Sequence, residues 1–203
     1  LGERGLWWKH TFYDEAVKVP LLMRWPGRLP AGARRRQLVD LLDVAATFVD
    51  AAGAPRLPNG RGRSLLPIAG DNGRPWVDRV FSENCVDAIE GYSGGRAIEQ
   101  RMLREGDWKL VYHHGLPPQL FDLDTDPDET NDRASDPAVA DRLAAMTARL
   151  LDGWDPEAIG RLLAERVADK RLLRAWAEAA MPEDPFRWHF DPDINRLDDP
   201  PGE

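Results

Sequence analysis

Gly5-Leu6-Trp7-Trp8-Lys9-His10-Thr11-Phe12-Tyr13-Asp14-Glu15-Ala16-Val17-Lys18 runs straight into Val19-Pro20-Leu21-Leu22-Met23-Arg24-Trp25, which Pro26-Gly27 closes. A short apolar run bounded by a turn signal reads as a buried strand. Beyond it, Asp43 suits a helix N-cap and Gly53 the left-handed position after a helix, so residues 43–53 predict two to three helical turns. Residues 77–85, Val-Asp-Arg-Val-Phe-Ser-Glu-Asn-Cys, predict a second strand. Strand, helix, strand over this span suggests a βαβ unit in a parallel sheet, whose other strands this chain does not carry.

The middle of the chain changes character. Residues 97–104, 107–112 and 119–123 predict short strands separated by Glu105-Gly106 and by Gly115 to Pro118, the spacing of a small antiparallel meander. Asp136-Pro137 and Asp155-Pro156 each combine an N-cap with proline at the first helical position. Val139, Leu143, Met146 and Leu150 fall on one face of the first of these helices. Ile159, Leu163, Val167, Leu173 and Trp176 form the apolar stripe of the second. Residues 182–203 form a Pro- and Asp-rich tail anchored by Phe186, Trp188 and Phe190, which predicts docking on the chain's own body or on a partner subunit.

The expected fold class is α/β. Residues 1–95 read as part of an α/β domain, 96–135 as a small antiparallel sheet, 136–181 as a helical extension and 182–203 as an extended tail. The chain opens on Leu1-Gly2-Glu3 with no Met, so it reads as one entered in mid-sequence.

Composition narrows the chemistry. The 27 Lys and Arg against 35 Asp and Glu leave a net charge of −8, which argues against nucleic-acid binding. Residues 1–110 carry a net +3 and residues 111–203 a net −11, so an anion site is expected in the first half. One cysteine excludes an intramolecular disulfide framework and a Cys-based zinc site. No apolar run approaches the ~18 residues of a membrane span.

Most chemistry-bearing residues have bland readings. Asp122, Asp124 and Asp126 have calcium-loop spacing, but Pro127 and Arg133 stand where an EF-hand needs Gly and Glu, which leaves an acidic turn. His113 and His114 are neighbours on a strand and face opposite sides. Cys85 has no base beside it, and Ser64, Ser82 and Ser93 show no nucleophile-elbow pattern. Lys9 is different, because it sits in an aromatic-dense stretch just before a core strand. It reads either as a point cation for a tetrahedral anion or as a snorkelling surface lysine.

The run Gly5 to Glu15 with Val19-Pro20-Leu21 resembles the segment of sulfatases that follows their Asp-His-Gly metal motif. Arg101-Met102-Leu103-Arg104-Glu105-Gly106-Asp107-Trp108-Lys109 is similar to the sulfatase C-terminal strand pair. Gln119 to Leu123 with Asp126-Pro127-Asp128-Glu129 is similar to the strand and turn after it. Trp154 to Ile159 and Trp188 resemble the C-terminal extension of choline-sulfatase-type members.

This resemblance implies an alkaline-phosphatase-like α/β fold with a small C-terminal sheet. It also implies hydrolysis of a small-molecule sulfate ester through a formylglycine nucleophile on Ca2+. Lys9 matches the family's sulfate-contacting lysine, and adjacent His10 is a second candidate substrate contact. No Cys/Ser-x-Pro-x-Arg motif occurs in this chain. Nucleophile and Ca2+ ligands are therefore expected upstream of Leu1, and the 203 residues alone are expected to be inactive. A phosphonate monoester or phosphodiester hydrolase of the same superfamily, and a non-catalytic oligomerisation module, are the alternatives. The C-terminal helices and tail are the expected homo-oligomer contact.

Overall fold

The computed structural model describes residues 2–6, 10–71, 73–87 and 94–181. The chain divides into the units Leu1–Ala164 and Glu165–Glu203. In the first unit, a short helix α1 (Asp14–Val17) is followed by α2 (Leu41–Ala51) and α3 (Leu66–Gly70). Four strands come next: β1 (Arg79–Val86), β2 (Ile98–Glu105), β3 (Trp108–His113) and β4 (Gln119–Asp122). A 3-10 turn (Pro137–Val139) then leads into α4 (Ala140–Leu151). Helix α5 (Pro156–Ala180) begins in the first unit, and its remainder is the described part of the second.

The strands form one antiparallel sheet in the order β1-β2-β3-β4. Each connection is local, and the β2–β3 hairpin turns in two residues, with Gly106 at φ 57°. The meander expected over 97–123 is therefore present. The sheet buries both faces. Leu103, Leu110 and Leu120 are cross-strand partners on one face, where Met146, Leu150 and Trp154 cover them. Met102 and Val111 share the other face with Phe12 and Val17. The segment around α1 thus forms one outer layer and α4 the other. Arg101 secures the α4 side: its guanidinium donates to the Leu150 carbonyl at 2.7 Å, at the negative end of that helix.

The expected βαβ unit is not formed among the described residues. Residues 19–25 take no strand, and the second expected strand, β1, pairs antiparallel with β2 in an eight-residue register. A ladder needs a neighbour, and 19–25 has none here; Leu22 stays 95% exposed.

Helix α2 starts earlier than expected. Asp40 is its N-cap, accepting from the Leu42 and Asp43 amides, while the Asp40 amide donates to the carboxylate of Asp43 at the third helical position. Gly53 does take the left-handed conformation, at φ 64°.

Asp136 and Asp155 cap as expected, accepting from the Ala138 and Ala158 amides. On α5, Ile159 packs on the core and Leu163 is buried, but Leu173 and Trp176 are exposed, so the stripe is used only in its first part.

Helix α2 is inverted relative to an ordinary amphipathic helix. It buries Asp43 and Thr47 and exposes Leu41, Leu42 and Phe48, the last by 72%. The loop after it explains this. Asp43 accepts from the Arg63 amide at 2.7 Å, and the Thr47 hydroxyl accepts from the Leu65 amide at 2.9 Å. These polar side chains satisfy buried backbone donors that have no ladder. The fit demands glycine at 62, where a Cβ would lie 2.0 Å from the Leu42 carbonyl oxygen.

Gly62→Ala is therefore expected to destabilise the protein by about 1–3 kcal/mol through forced backbone displacement. Gly70→Ala, where a Cβ meets nothing within 4 Å, should leave the urea midpoint unchanged or raised. Equal midpoints for the two variants would refute the close-approach argument.

Candidate functional site

Lys9 lies outside the described residues. His10 is exposed and makes a contact within the chain. Immediately after them the chain is pinned. Phe12 is buried, and its carbonyl accepts from the Lys109 ammonium at 3.1 Å. The same ammonium donates to Asp14 Oδ1 at 2.5 Å and lies 2.6 Å from Glu129 Oε1. Lys109 is fully buried, at 0% exposure. An ammonium has three N–H donors and no acceptor, and three oxygens from two separate segments, 12–14 and the turn at 129, surround this one.

The sheet explains how the lysine comes to be there. On β3, Lys109 has the same parity as Val111, so it points to the face that Phe12 covers rather than to the Leu110 side. An isolated buried ammonium costs several kcal/mol, which only pairing and hydrogen bonding offset. Glu129 and Asp14 provide that pairing, and Glu129 Oε2 also accepts from the Asp14 amide at 2.7 Å. Asp14 is thus held by its side chain and its main chain at once. Arg104 and Lys18 lie 3.6 and 3.4 Å from its other oxygen.

Arg4 ties to the same turn. Its guanidinium donates to the Asp128 and Glu129 carbonyls, pairs with Glu15 at 3.3 Å and stacks 4.1 Å over the Tyr13 ring. Arg4 and Glu129 both take left-handed backbone, at φ 57° and 50°. For residues other than glycine this costs of order 1–3 kcal/mol each and persists only where the surroundings enforce it.

Burial acts to raise the Asp14 pKa. The Lys109 hydrogen bond and charge, then Arg104 and Lys18, outweigh it and hold the carboxyl below its usual 3.8.

The other candidates stay structural. Asp126 accepts from the Thr130 and Asn131 amides and from the Thr130 hydroxyl, and Asp122 accepts from the Asp124 amide, so these carboxylates build the acidic turn. His113 faces Gln119 at 3.5 Å. Burial pushes the Cys85 thiol up, away from thiolate chemistry. Arg35, in the run Arg34-Arg35-Arg36, donates to the Ile68 and Ala69 carbonyls near the C-terminal end of α3. Among the described residues no group of three or more His, Cys, Asp or Glu could hold a metal ion, so a Ca2+ site does not fit them.

Asp14, Lys109 and Glu129 each fall within a motif of the family resemblance, but no local spacing shows their convergence. The available signal was a lysine sharing strand parity with Val111, in a strand whose neighbours on both faces are apolar.

Comparison with known proteins bears on all three segments. Residues 2–154 match the family described as N-sulphoglucosamine sulphohydrolase, C-terminal. The choline-sulfatase of Rhizobium meliloti (strain 1021) is 35% identical over 179 residues, covering 85% of this chain and 33% of that protein. Arylsulfatase K of Homo sapiens is 34% identical over 140 residues, covering 63% of this chain and 24% of that protein. The chain therefore spans a third or less of the length of these two relatives.

Two solved structures share the fold. The phosphonate monoester hydrolase SpPMH from Silicibacter pomeroyi has a TM-score of 0.54 at 27% identity, over 64% of this chain and 27% of that one. BT4656, solved with its substrate D-glucosamine-2-N,6-O-disulfate, has a TM-score of 0.54 at 21% identity, over 66% of this chain and 27% of that one.

Asp14 gives the pinned segment a definite acid response. Its folded pKa is depressed, so its contribution is complete above the unfolded value near 3.8 and is lost as pH falls through the lower folded value. Urea unfolding between pH 6 and 2 should show this loss in the wild type and a flatter acid limb in Asp14→Asn. Parallel limbs would exclude Asp14 as a source.

With residues 2–154 matched to that C-terminal family model and 35% identity to a choline-sulfatase over 85% of its length, this chain belongs to the sulfatase family.

Proposed function

We propose that this chain is the C-terminal portion of a sulfuric ester hydrolase and that Lys9 contacts the sulfuryl group of a small-molecule sulfate ester. One observation carries the reading: the segment just after Lys9 is tied by a buried ammonium to the two other segments that mark the family. The 35% identity to a choline-sulfatase supports the substrate class. A lysine is a compact point charge, suited to an oxygen that gains negative charge as the ester bond breaks. His10, adjacent and exposed, is proposed as a second contact with the substrate.

The family's formylglycine and Ca2+ are assigned to residues other than these, because the described carboxylates are committed to turns and ion pairs and Cys85 is a strand residue packed on the core.

The exposed apolar residues Leu21, Leu22, Leu41, Leu42 and Phe48 suit packing against further layers of an α/β domain. No described helix is long and apolar enough to cross a membrane.

A second reading has its own support, since SpPMH is a phosphonate monoester hydrolase of the same fold. In the full-length protein, Lys9→Ala should lower kcat/KM for an aryl sulfate by roughly 10²–10³-fold, as for loss of one transition-state donor. Parallel assays on an aryl phosphonate separate the readings. Preference for the phosphonate would replace the sulfatase assignment, and wild-type turnover in Lys9→Ala would remove Lys9 from the site.

We also propose a homo-oligomer assembled through α5 and the tail. The exposure of Leu172, Leu173 and Trp176 supports it. Deleting 182–203 should lower the mass measured by sedimentation; an unchanged mass would argue against the tail as an assembly element.

A further inference from the structure

We propose that the loop over residues 24–36 is a docking surface for a sulfated polysaccharide, whose sulfate groups pair with the exposed guanidinium groups of Arg24, Arg28, Arg34 and Arg36. Binding of this kind requires no role for Lys9.

Charge singles the loop out. Residues 16–39 hold six basic side chains and no acidic one, in a chain whose net charge is −8. Arg24, Arg28, Arg34 and Arg36 are all exposed. Among the described residues none of the four ends on a carboxylate; Arg28 only stacks on Trp25, 5.5 Å from the ring centroid. Elsewhere Arg63, Arg79, Arg133 and Arg149 each meet a carboxylate of this chain.

The loop is also held in place. Arg35 turns inward, donating to the Ile68 carbonyl at 2.5 Å, the Ala69 carbonyl at 2.8 Å and the Arg34 carbonyl at 3.1 Å. Its neighbours Arg34 and Arg36 stay in solvent. Just beyond, Leu38 is fixed through both main-chain groups. Its amide donates to Asp78 at 2.5 Å, and its carbonyl accepts from the Trp76 indole at 2.8 Å. At the other end the Trp25 carbonyl accepts from the Arg28 and Leu29 amides at 3.1 and 2.9 Å, with Gly27 left-handed at φ 77°. A loop fixed at both ends has less freedom to lose on binding, so several weak ion contacts can add up.

The chemistry of the loop selects among polyanions. Arginine is its only base. The guanidinium fork donates two parallel N–H bonds to paired oxygens and gives up water more readily than an ammonium, which suits a sulfate ester. A bilayer surface asks for large apolar side chains beside the bases, and residues 24–36 expose none. A nucleic acid asks for a helix or strand that enters a groove, or for an open aromatic platform. The loop has no such element, and Trp25 is half-buried with Arg28 over its ring. A sulfated sugar chain needs only spaced cations.

The test titrates the full-length protein with dextran sulfate, and with unsulfated dextran, at several salt concentrations in a calorimeter. Binding to the sulfated polymer alone is expected. The triple variant Arg24→Ala, Arg34→Ala, Arg36→Ala should bind about 10-fold more weakly, the sum of three exposed ion contacts. Its slope of log K against log salt should fall by about 2, from the loss of three charge contacts. A second triple variant, Arg61→Ala, Arg74→Ala, Arg142→Ala, removes the same charge outside the loop and should stay within about twofold of wild type.

Equal losses in the two triple variants would overturn the proposal, since net charge alone would then explain the binding. So would failure of the full-length protein to bind dextran sulfate, which would mean that its other residues already cover these arginines. Tighter binding to phosphatidylserine vesicles or to a single-stranded oligonucleotide, with the same loss in the loop variant, would replace the polysaccharide with that partner. If the loop variant unfolds at a lower Tm, Arg24→Gln and Arg36→Gln are measured singly. Each is expected to weaken binding about twofold, and wild-type affinity in both would overturn the proposal.

Discussion

A lysine ammonium that reaches no water must end its donors on protein oxygens, and the arrangement of this chain around its sheet follows from how Lys109 meets that demand. Two segments far apart in sequence deliver the oxygens: residues 12–14, through the Phe12 carbonyl and the Asp14 carboxylate, and the turn at Glu129, through its carboxylate. The segment at 12–17 can form an outer layer because this bond set draws it onto β3. The turn at 128–129 can adopt left-handed backbone because the same set, with Arg4, holds it there. Removing the cation would leave the buried Glu129 carboxylate and the half-buried Asp14 carboxylate without it, which is costly for the buried one.

The opposite face of the sheet uses a cation differently. The leucine row of Leu103, Leu110 and Leu120 under Met146 and Leu150 is dry and apolar, and it supplies the area removed from water. Arg101 crosses that face with its guanidinium 4.4 Å over Phe81, 3.3 Å from Glu83 and bonded to the Leu150 carbonyl. Desolvation works against its charge, while Glu83 works to keep it. Apolar packing holds the layers together, while each buried cation sets where one flanking element sits.

Legibility in the sequence followed the range of the interactions. The β2–β4 meander, the Asp136 and Asp155 caps and the Gly53 helix stop are governed by residues a few positions apart, and these were readable. The α2 cap slipped by three residues because Asp40 and Asp43 are both competent N-caps; the reciprocal bond between them decides, and composition does not. The strand expected at 19–25 failed for a non-local reason. Its apolar content was read correctly, but a strand is a pairing property, and no described strand pairs with it. The Lys109 cluster was the hardest to see. Lys109 is separated from Asp14 by 95 residues in sequence, and nothing local to any of its members announces the others. The three motifs that carried the family resemblance did contain them, so resemblance pointed at the site without giving its physical reason.

Helix α2 and the run after Lys18 show the same logic from outside. Asp43 and Thr47 turn inward because the amides of Arg63 and Leu65 need acceptors, and a loop without a ladder has few other sources. That commitment forces Leu41, Leu42 and Phe48 outward, beyond what one surface helix ordinarily exposes. Residues 19–23 add Val19, Leu21, Leu22 and Met23 to the exposed apolar surface. Two adjacent stretches of sequence, one on each side of the Arg34-Arg35-Arg36 loop, thus present apolar faces, while the sheet buries residues on both of its own faces. In a chain that covers a third of a choline-sulfatase, such faces are what an α/β layer shows toward the strands it packs on.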